Sequence, residues 1–255
     1  LWSWWDVNMT APDTLRQRVA FALSEILVVS RIGSDLLEDH QWALAGYYDL
    51  LVKHALGNYR DLLVDVTYSP VMGLFLTHVK NRKADPATNR FPDENYAREI
   101  MQLFTIGLYQ LNQDGTRRKD AEGRDLPTYS NREIRAFARV FTGLTFNPAV
   151  PPAYVPYFHD PLDPPVVDDE ASFLDSPDNN LNLPMLAFEP MHDTGAKQLL
   201  SYTNLNGQVV SGILPANQTT DQDIRAAIDN LFHHPNVGPF VGRLLIQRLV
   251  KSNPG

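Results

Sequence analysis

Apolar residues recur every three or four positions through most of the first 145 residues, which is the spacing of one face of an α-helix. Capping residues and helix breakers divide this pattern into separate helices. The predicted helices run from Asp13 or Thr14 to about Val29, from Asp35 to Leu56, and from Ser130 to just before Gly143. Two further helices are predicted to begin directly after the capping residues Asn58 and Ser69, the second with Pro70 at its first position. The pattern therefore predicts a mainly α fold.

A further helix is predicted from Pro92 to Gly107, and it carries a carboxylate where an apolar side chain is expected. Asp93 can cap its start, and Gly107 can adopt the left-handed conformation that ends it. At 100° per residue the side facing the core consists of Tyr96, Ala97, Ile100, Leu103 and Phe104. Glu99 lies on the flank of that side, so we expect it to be partly buried and to need a partner, a metal ion or a proton.

The pattern changes after Asn147, because ten of the nineteen prolines lie between Asn147 and Pro190. A stretch of this length is typical of a lid or of a segment that wraps around a domain. Helices resume at a capping box formed by Thr219 and Gln222, and Asn236 is placed to cap the last one. We therefore predict a first part of the helical core at 1–146, a proline-rich acidic segment at 147–218, and helices completing the core at 219–255.

Turn signals at Asp114-Gly115 and Glu122-Gly123 predict a small hairpin between the helix that ends at Gly107 and the one that begins at Ser130. With 255 residues, of which 44% are hydrophobic, the chain can bury a substantial core. It contains no run of eighteen apolar residues, so no membrane span is predicted. The chain begins at Leu1, and we interpret it as a fragment of a longer precursor.

Charge and cysteine content exclude several classes of function. The net charge of −8 argues against nucleic acid as a partner, because phosphate binding requires clustered Lys and Arg. With no cysteine, the chain has no thiolate metal site and no cysteine nucleophile. From Val140 to Ala196 it holds nine acidic residues and no Lys or Arg. This tract is either a solvated loop or a calcium site, with Asp175 and Asp178 as candidate oxygen ligands.

Glu25 is a second carboxylate within an apolar helix, since the run from Val19 to Val29 is hydrophobic around most of its circumference. One interpretation is an ion pair with Arg18, which lies seven residues earlier on the same face. The other places Glu25 beside Glu99, where two carboxylates with separated pKa values can divide acid and base roles.

The segment MHDTGAK places an imidazole, a carboxylate and an ammonium within six residues, at His192, Asp193 and Lys197. Such groups can transfer protons or bind a metal ion, although polar loops often contain them without any such role. The nucleophile elbow, the phosphate-binding loop, the dinucleotide fingerprint and the zinc-protease motif are all absent from the sequence.

Several segments together resemble a bacterial family known as domain of unknown function 1800. They include LRQRVAFALSEILVVS, PDENYAREIMQLFTIGLYQLNQDGT, PTYSNREIRAFARVFTG, HDTGAKQLL and HHPNVGPFVGRLLIQRLVKSNP. Many relatives look like FWHNHF where this chain has FALSEI, so the family histidines fall at Leu23 and Glu25. If those histidines bind a metal ion, Glu25 alone remains here as a ligand.

The resemblance also implies a location and a partner. Members look like exported bacterial proteins, so a secreted or periplasmic location is expected. Their genes are often associated with a family related to sulfatases and alkaline phosphatases, which implies a partner protein of that kind.

Two functional hypotheses follow. In the first, the protein is a hydrolase or lyase, in which Glu99, His192, Asp193 and Glu25 act as acids and bases or bind a divalent metal ion. Its substrate contacts are Arg98, Lys197, Glu94 and Tyr96, and His192, Asp193 and Glu99 are the candidate metal ligands. In the second, the chain is a non-catalytic binding or structural module that is located at the cell surface or associated with secretion.

Overall fold

The computed structural model describes residues 6, 9–32, 34–147 and 181–253. Across these ranges the chain forms nine α-helices and six strands of two residues each, so the prediction of a mainly α fold is confirmed. The helices are α1 Thr14–Ser24, α2 Asp35–Asp39, α3 Gln41–His54, α4 Tyr59–Thr67, α5 Pro70–Phe75, α6 Asn95–Glu99, α7 Asn131–Val140, α8 Thr220–Phe232 and α9 Val237–Leu249. The strands are β1 Leu144–Thr145, β2 Leu186–Ala187, β3 Lys197–Gln198, β4 Tyr202–Thr203, β5 Val209–Val210 and β6 Ile213–Leu214.

Most buried apolar side chains belong to one core that the helices share. Helix α1 packs on α3, α4 packs on both α3 and α8, and α7 packs on α6, α8 and β3. The aromatic side chains at the centre of this core are those of Tyr96, Phe104, Phe137, Phe141 and Phe146. Helix α7 thus joins the helix at residues 95–99 to the segment that begins at His192.

Local capping signals predicted several helix starts correctly. Ser130 and Glu133 form the predicted capping box at the start of α7, and Thr219 and Gln222 form the one at the start of α8. The Asn58 side chain accepts a hydrogen bond from the second amide of α4, at 2.8 Å. In each case a side chain satisfies an amide that has no partner within its own helix.

Two predicted boundaries are wrong. Helix α1 ends at Ser24 and not near Val29, and the Ser24 hydroxyl donates to the carbonyl three residues earlier, at 2.8 Å. The predicted helix from Asp35 to Leu56 is two helices, because the backbone leaves the helical region at His40, with φ −114° and ψ 57°. The His40 ring lies 2.9 Å from the carbonyl of Leu36 and so reinforces the end of α2.

The predicted helix that ends at Gly107 forms, but it is wound as a π-helix over Ile100–Thr105. A π-helix joins residues five apart, so the faces expected from 100° per residue are shifted beyond this point. Leu103, which was predicted to face the core, is 47% exposed, whereas Met101 and Thr105 are fully buried. The prediction for Leu103 is therefore wrong because the helix changes type.

The predicted hairpin is present as a ladder of isolated antiparallel bridges. It turns at Gly115 and Gly123, both at positive φ. The bridges join Tyr109 to Pro127, Leu111 to Arg117, and Lys119 to Asp125. The predicted capping of α9 by the Asn236 side chain is wrong, because that side chain makes no capping hydrogen bond. Asn236 holds the ladder to the core instead. Its side chain accepts from the amide of Leu111 at 2.9 Å and donates to the carbonyls of Ile106 and Tyr109 at 2.8 Å each.

Much of the predicted acidic segment at 147–218 lies outside the described residues, including Asp175 and Asp178. Its described part from Leu181 onward contains the strands β2 to β6. Strand β2 pairs with β1, which precedes the segment, and within the segment β3 pairs with β6 and β4 with β5, all antiparallel. These short strands were not predicted, because two-residue strands carry no detectable alternation. The division into 1–146, 147–218 and 219–255 stays a prediction.

Candidate functional site

The loop that leads to His192 is held by close backbone packing. Gly143, directly before β1, adopts φ +85°, and a Cβ atom there would lie 3.0 Å from both His192 and the carbonyl of Phe188. The Phe188 amide donates to the Gly143 carbonyl at 2.6 Å. A residue with a side chain would strain this position both by its conformation and by contact. Gly143 therefore allows the loop to lie against the end of α7.

His192 is fully buried, and both of its ring nitrogens face acceptors. Nδ1 lies 2.9 Å from the carbonyl oxygen of Thr142, and Nε2 lies 3.0 Å from Oδ2 of Asp223. A carbonyl oxygen only accepts, so Nδ1 carries a proton. Because no face of the ring is open to solvent, His192 is positioned to hold the loop against α8.

Lys197 is buried beside the same carboxyl group. Its Nζ donates to Asp223 Oδ2 at 2.5 Å, to the carbonyl of Gly195 at 3.1 Å, and to the carbonyl of Asp193. The side chains of Lys197 and Asp223 are each 1% exposed. All three ammonium protons thus have acceptors, as a buried charge requires.

Asp193 makes a second ion pair at the edge of this network. Arg139 of α7 donates to it in a bidentate manner, at 2.7 and 2.8 Å. Burial alone would raise the pKa of the Asp193 carboxyl, but the hydrogen bonds from Arg139 and from the Gly195 amide lower it below its ordinary value. Asp193 is therefore held ionised and is a poor general acid.

Asp223 was missed by the sequence analysis, although it joins His192 and Lys197. It lies in the first turn of α8, where acidic residues are common because they favour the positive end of a helix. Because the helix dipole already explains an acidic residue there, Asp223 was not selected as a site residue. Among the described residues its Oδ1 has no hydrogen-bond partner. The sequence signal that could have found Asp223 is its set of apolar neighbours. Ile224, Ala227 and Ile228 are buried, which places this face of α8 against the core.

A cavity of about 470 Å³ lies outside the Arg139–Asp193 pair. It is lined by Ala84, Phe91, Pro92, Glu94, Arg135, Ala138, Arg139 and Asp193. Its volume falls in the range of small-molecule sites. The cavity therefore brings together Glu94 and Asp193, two of the residues that the sequence analysis selected.

Glu94 accepts from Arg98 at 3.2 Å and lies 3.7 Å from Arg135. Tyr96, by contrast, is buried in the core, where its hydroxyl lies 2.7 Å from that of Thr67 and its ring stacks on His78. From this position Tyr96 supports the helix from within. Its expected role as a substrate contact stays a prediction.

Glu99 is partly buried at the end of α6. Burial raises the pKa of its carboxyl above the ordinary value, and the nearby charge of Arg98 opposes that rise. Glu25 is exposed just after α1, with its carboxylate 3.9 Å from Arg248 rather than paired with Arg18. Within the described ranges no hydrogen bond or ion pair joins Glu25, Glu99 and His192. Their proposed acid–base roles stay predictions.

Nothing in the described part of the chain groups three or more His, Asp or Glu side chains closely enough to hold a metal ion. The candidate ligands His192, Asp193 and Glu99 are thus not assembled as one site there, and Asp175 and Asp178 lie outside it. None of the helices in these ranges has the length and apolar content that a transmembrane span requires.

Comparison with known families agrees with the resemblance noted above. The sequence model of the family described as protein of unknown function (DUF1800) matches residues 1–255, the whole chain. The chain belongs to this family. No curated protein and no solved structure matches it.

In this DUF1800 member, Leu23 and Glu25 of the segment FALSEI lie in different surroundings. Leu23 is buried in the core, whereas Glu25 is exposed and faces Arg248. At the two positions where the resemblance implies histidines in relatives, this chain therefore has one buried apolar side chain and one exposed carboxylate.

Proposed function

We propose that this chain is a non-catalytic binding module whose ligand occupies the cavity beside the Arg139–Asp193 pair. One observation carries the proposal. Glu94, from the segment 92–107, and Asp193, from the segment MHDTGAK, both line this cavity. Each of these carboxylates already has an arginine partner. Such a site offers shape, apolar surface and fixed charge to a ligand. It does not offer a group suited to exchange a proton.

The buried network behind the cavity supports the same proposal. His192, Lys197 and Asp223 are enclosed, so no substrate can reach them unless the loop at residues 192–197 detaches. A buried ion pair of this kind can serve to fix one conformation of the loop. In this proposal the network is the rigid wall on which the binding site rests.

A hydrolase or lyase is the second candidate, and one observation favours it. Glu99 is partly buried and its carboxyl has a raised pKa, which is a property of general acids and bases. A divalent metal ion belongs to this candidate only as a further proposal.

Location and partner are also proposals. The family resemblance supports a secreted or periplasmic protein that acts together with a sulfatase- or phosphatase-like partner. Fractionation of cells that produce the protein, followed by purification of its complexes, tests both expectations.

A fragment screen by ¹H–¹⁵N NMR tests the binding proposal. We expect fragments to shift amide signals around Ala84, Phe91 and Ala138, and Phe91→Ala to weaken those shifts. Leu205→Ala is the matched control, since Leu205 is similarly exposed but does not line the cavity. If no fragment shifts the cavity signals, the proposal is wrong.

A turnover assay tests the second candidate, a hydrolase or lyase. Chromogenic ester and phosphoester substrates are compared for the wild type, Glu99→Gln and His192→Ala. Turnover that disappears in Glu99→Gln, while the melting temperature stays unchanged, would establish an enzyme and refute the binding module.

A further inference from the structure

We infer that the cavity takes a small apolar carboxylate, with Arg135 as the residue that binds the carboxylate group. This inference rests on the proposed function and adds the chemical class of the ligand.

The donors of Arg139 are largely occupied. Its Nε and Nη2 bind Asp193, and its Nη1 donates to the carbonyl of Ala196 at 3.0 Å. A ligand that recruited Arg139 would have to break a bidentate ion pair. Arg139 therefore shapes the cavity but is not its free anion-binding group.

Arg135 lies one turn earlier on α7 and is in a different state. Its side chain is 76% exposed, and its one ion-pair contact in the described chain is to Glu94 at 3.7 Å. Glu94 also accepts from Arg98 at 3.2 Å, so it does not depend on Arg135. The guanidinium of Arg135 thus keeps a planar set of donors available, which matches the two oxygens of a carboxylate.

The remaining lining is apolar. Phe91 is 72% exposed, which is unusual for a large aromatic side chain, and Pro92, Ala84 and Ala138 complete the wall beside it. A ligand with a short hydrocarbon group would cover this surface and remove it from water. An anionic head beside Arg135 and an apolar tail against Phe91 together define an apolar carboxylate.

The charges in the cavity also discriminate against a cation. Both carboxylates of the lining, Glu94 and Asp193, already have arginine partners. An incoming ammonium would have to displace an arginine, and it would be repelled by Arg135, whose one ion-pair contact in the described chain is at 3.7 Å. An anion meets neither obstacle.

The probes are hexanoate, hexanol and hexylamine, titrated into ¹⁵N-labelled protein and followed by amide shifts. Each compound has an unbranched chain of six carbon atoms in total, and they differ in the head group. Hexanoate should bind at least about tenfold more tightly than the other two, because a charge-assisted bidentate contact contributes about that factor. Arg135→Gln should remove this advantage. Arg132→Gln should keep it, since Arg132 lies on the same helix, is 71% exposed and does not line the cavity.

The outcomes separate the inference from the proposed function. If hexanol binds as tightly as hexanoate, or if Arg135→Gln behaves like Arg132→Gln, carboxylate recognition is refuted while the cavity remains a binding site. If none of the three probes shifts the cavity signals but other fragments do, the ligand class is refuted alone. If no compound of any class shifts them, the inference and the proposed function are both refuted.

Discussion

Replacing Asp223 by Asn tests the physical basis of the buried network. The side chains of Asp223 and Lys197 are each 1% exposed, and the carboxyl oxygen that accepts from Lys197 also lies 3.0 Å from Nε2 of His192. Asp223→Asn leaves the ammonium of Lys197 in the interior without its counter-charge. Removing one partner of a buried ion pair costs about 3–5 kcal/mol. Because a domain is stable by only about 5–15 kcal/mol, we expect Asp223→Asn to be folded but markedly less stable.

The assay is urea unfolding followed by circular dichroism, on the wild type, Asp223→Asn, Lys197→Met and the double variant. Since the two side chains are in direct contact, the double variant should be more stable than the sum of the single effects predicts, by about 1–3 kcal/mol. Arg225→Met is the control. It breaks a surface pair with Asp221, both about half exposed, and should cost under about 1 kcal/mol. Additive effects of Asp223→Asn and Lys197→Met, or a loss below 1 kcal/mol for Asp223→Asn, would show that the network does not act as one unit.

Three further predictions concern single positions. Burial lowers the pKa of His78 from 6.5 to about 4, so the unfolded chain binds its proton first. Stability should therefore be complete above pH 6.5 and should fall by up to about 3 kcal/mol as the pH drops to 4; His78→Gln should flatten this part of a urea-midpoint profile. Gly143→Ala should lower stability by about 2–4 kcal/mol, whereas Gly123→Ala, also at positive φ but with no atom within 4 Å of the added methyl group, should cost about 1 kcal/mol. Equal losses at the two glycines in thermal melts would refute the packing argument. Asn236→Ala should cost about 2–3 kcal/mol and speed amide hydrogen exchange in the ladder at residues 109–127, because three hydrogen bonds of a buried side chain are lost; unchanged exchange there would count against that role.

Sequence reasoning succeeded where the cause is local. The capping boxes at Ser130 and Thr219 involve residues three apart, so the sequence contains both partners of each interaction. The same holds for Asn58 and for the glycine turns of the hairpin. The mainly helical class followed from apolar periodicity, which the helices retain.

It failed where the cause lies elsewhere in the chain. The π-helical turn at Ile100–Thr105 exposes Leu103, and apolar spacing alone does not reveal such a change in winding. Asp223 could be assigned to the buried network only after α8 was found packed against α7 and the loop of Lys197. The pair of Glu25 with Arg248 spans more than two hundred residues, as their numbering shows. Distances of this kind are properties of the packing and are absent from local patterns.

The ammonium of Lys197 is surrounded by two main-chain carbonyls and a carboxylate, which is the type of oxygen cage that many loops form around a metal cation. Here the cation is attached to the chain by its own side chain. In a sequence without cysteine, this arrangement fastens the loop to α8 by a means that neither a reducing agent nor a chelator can remove. Loss of the lysine charge, for example by acetylation of the unfolded chain, would remove this contact.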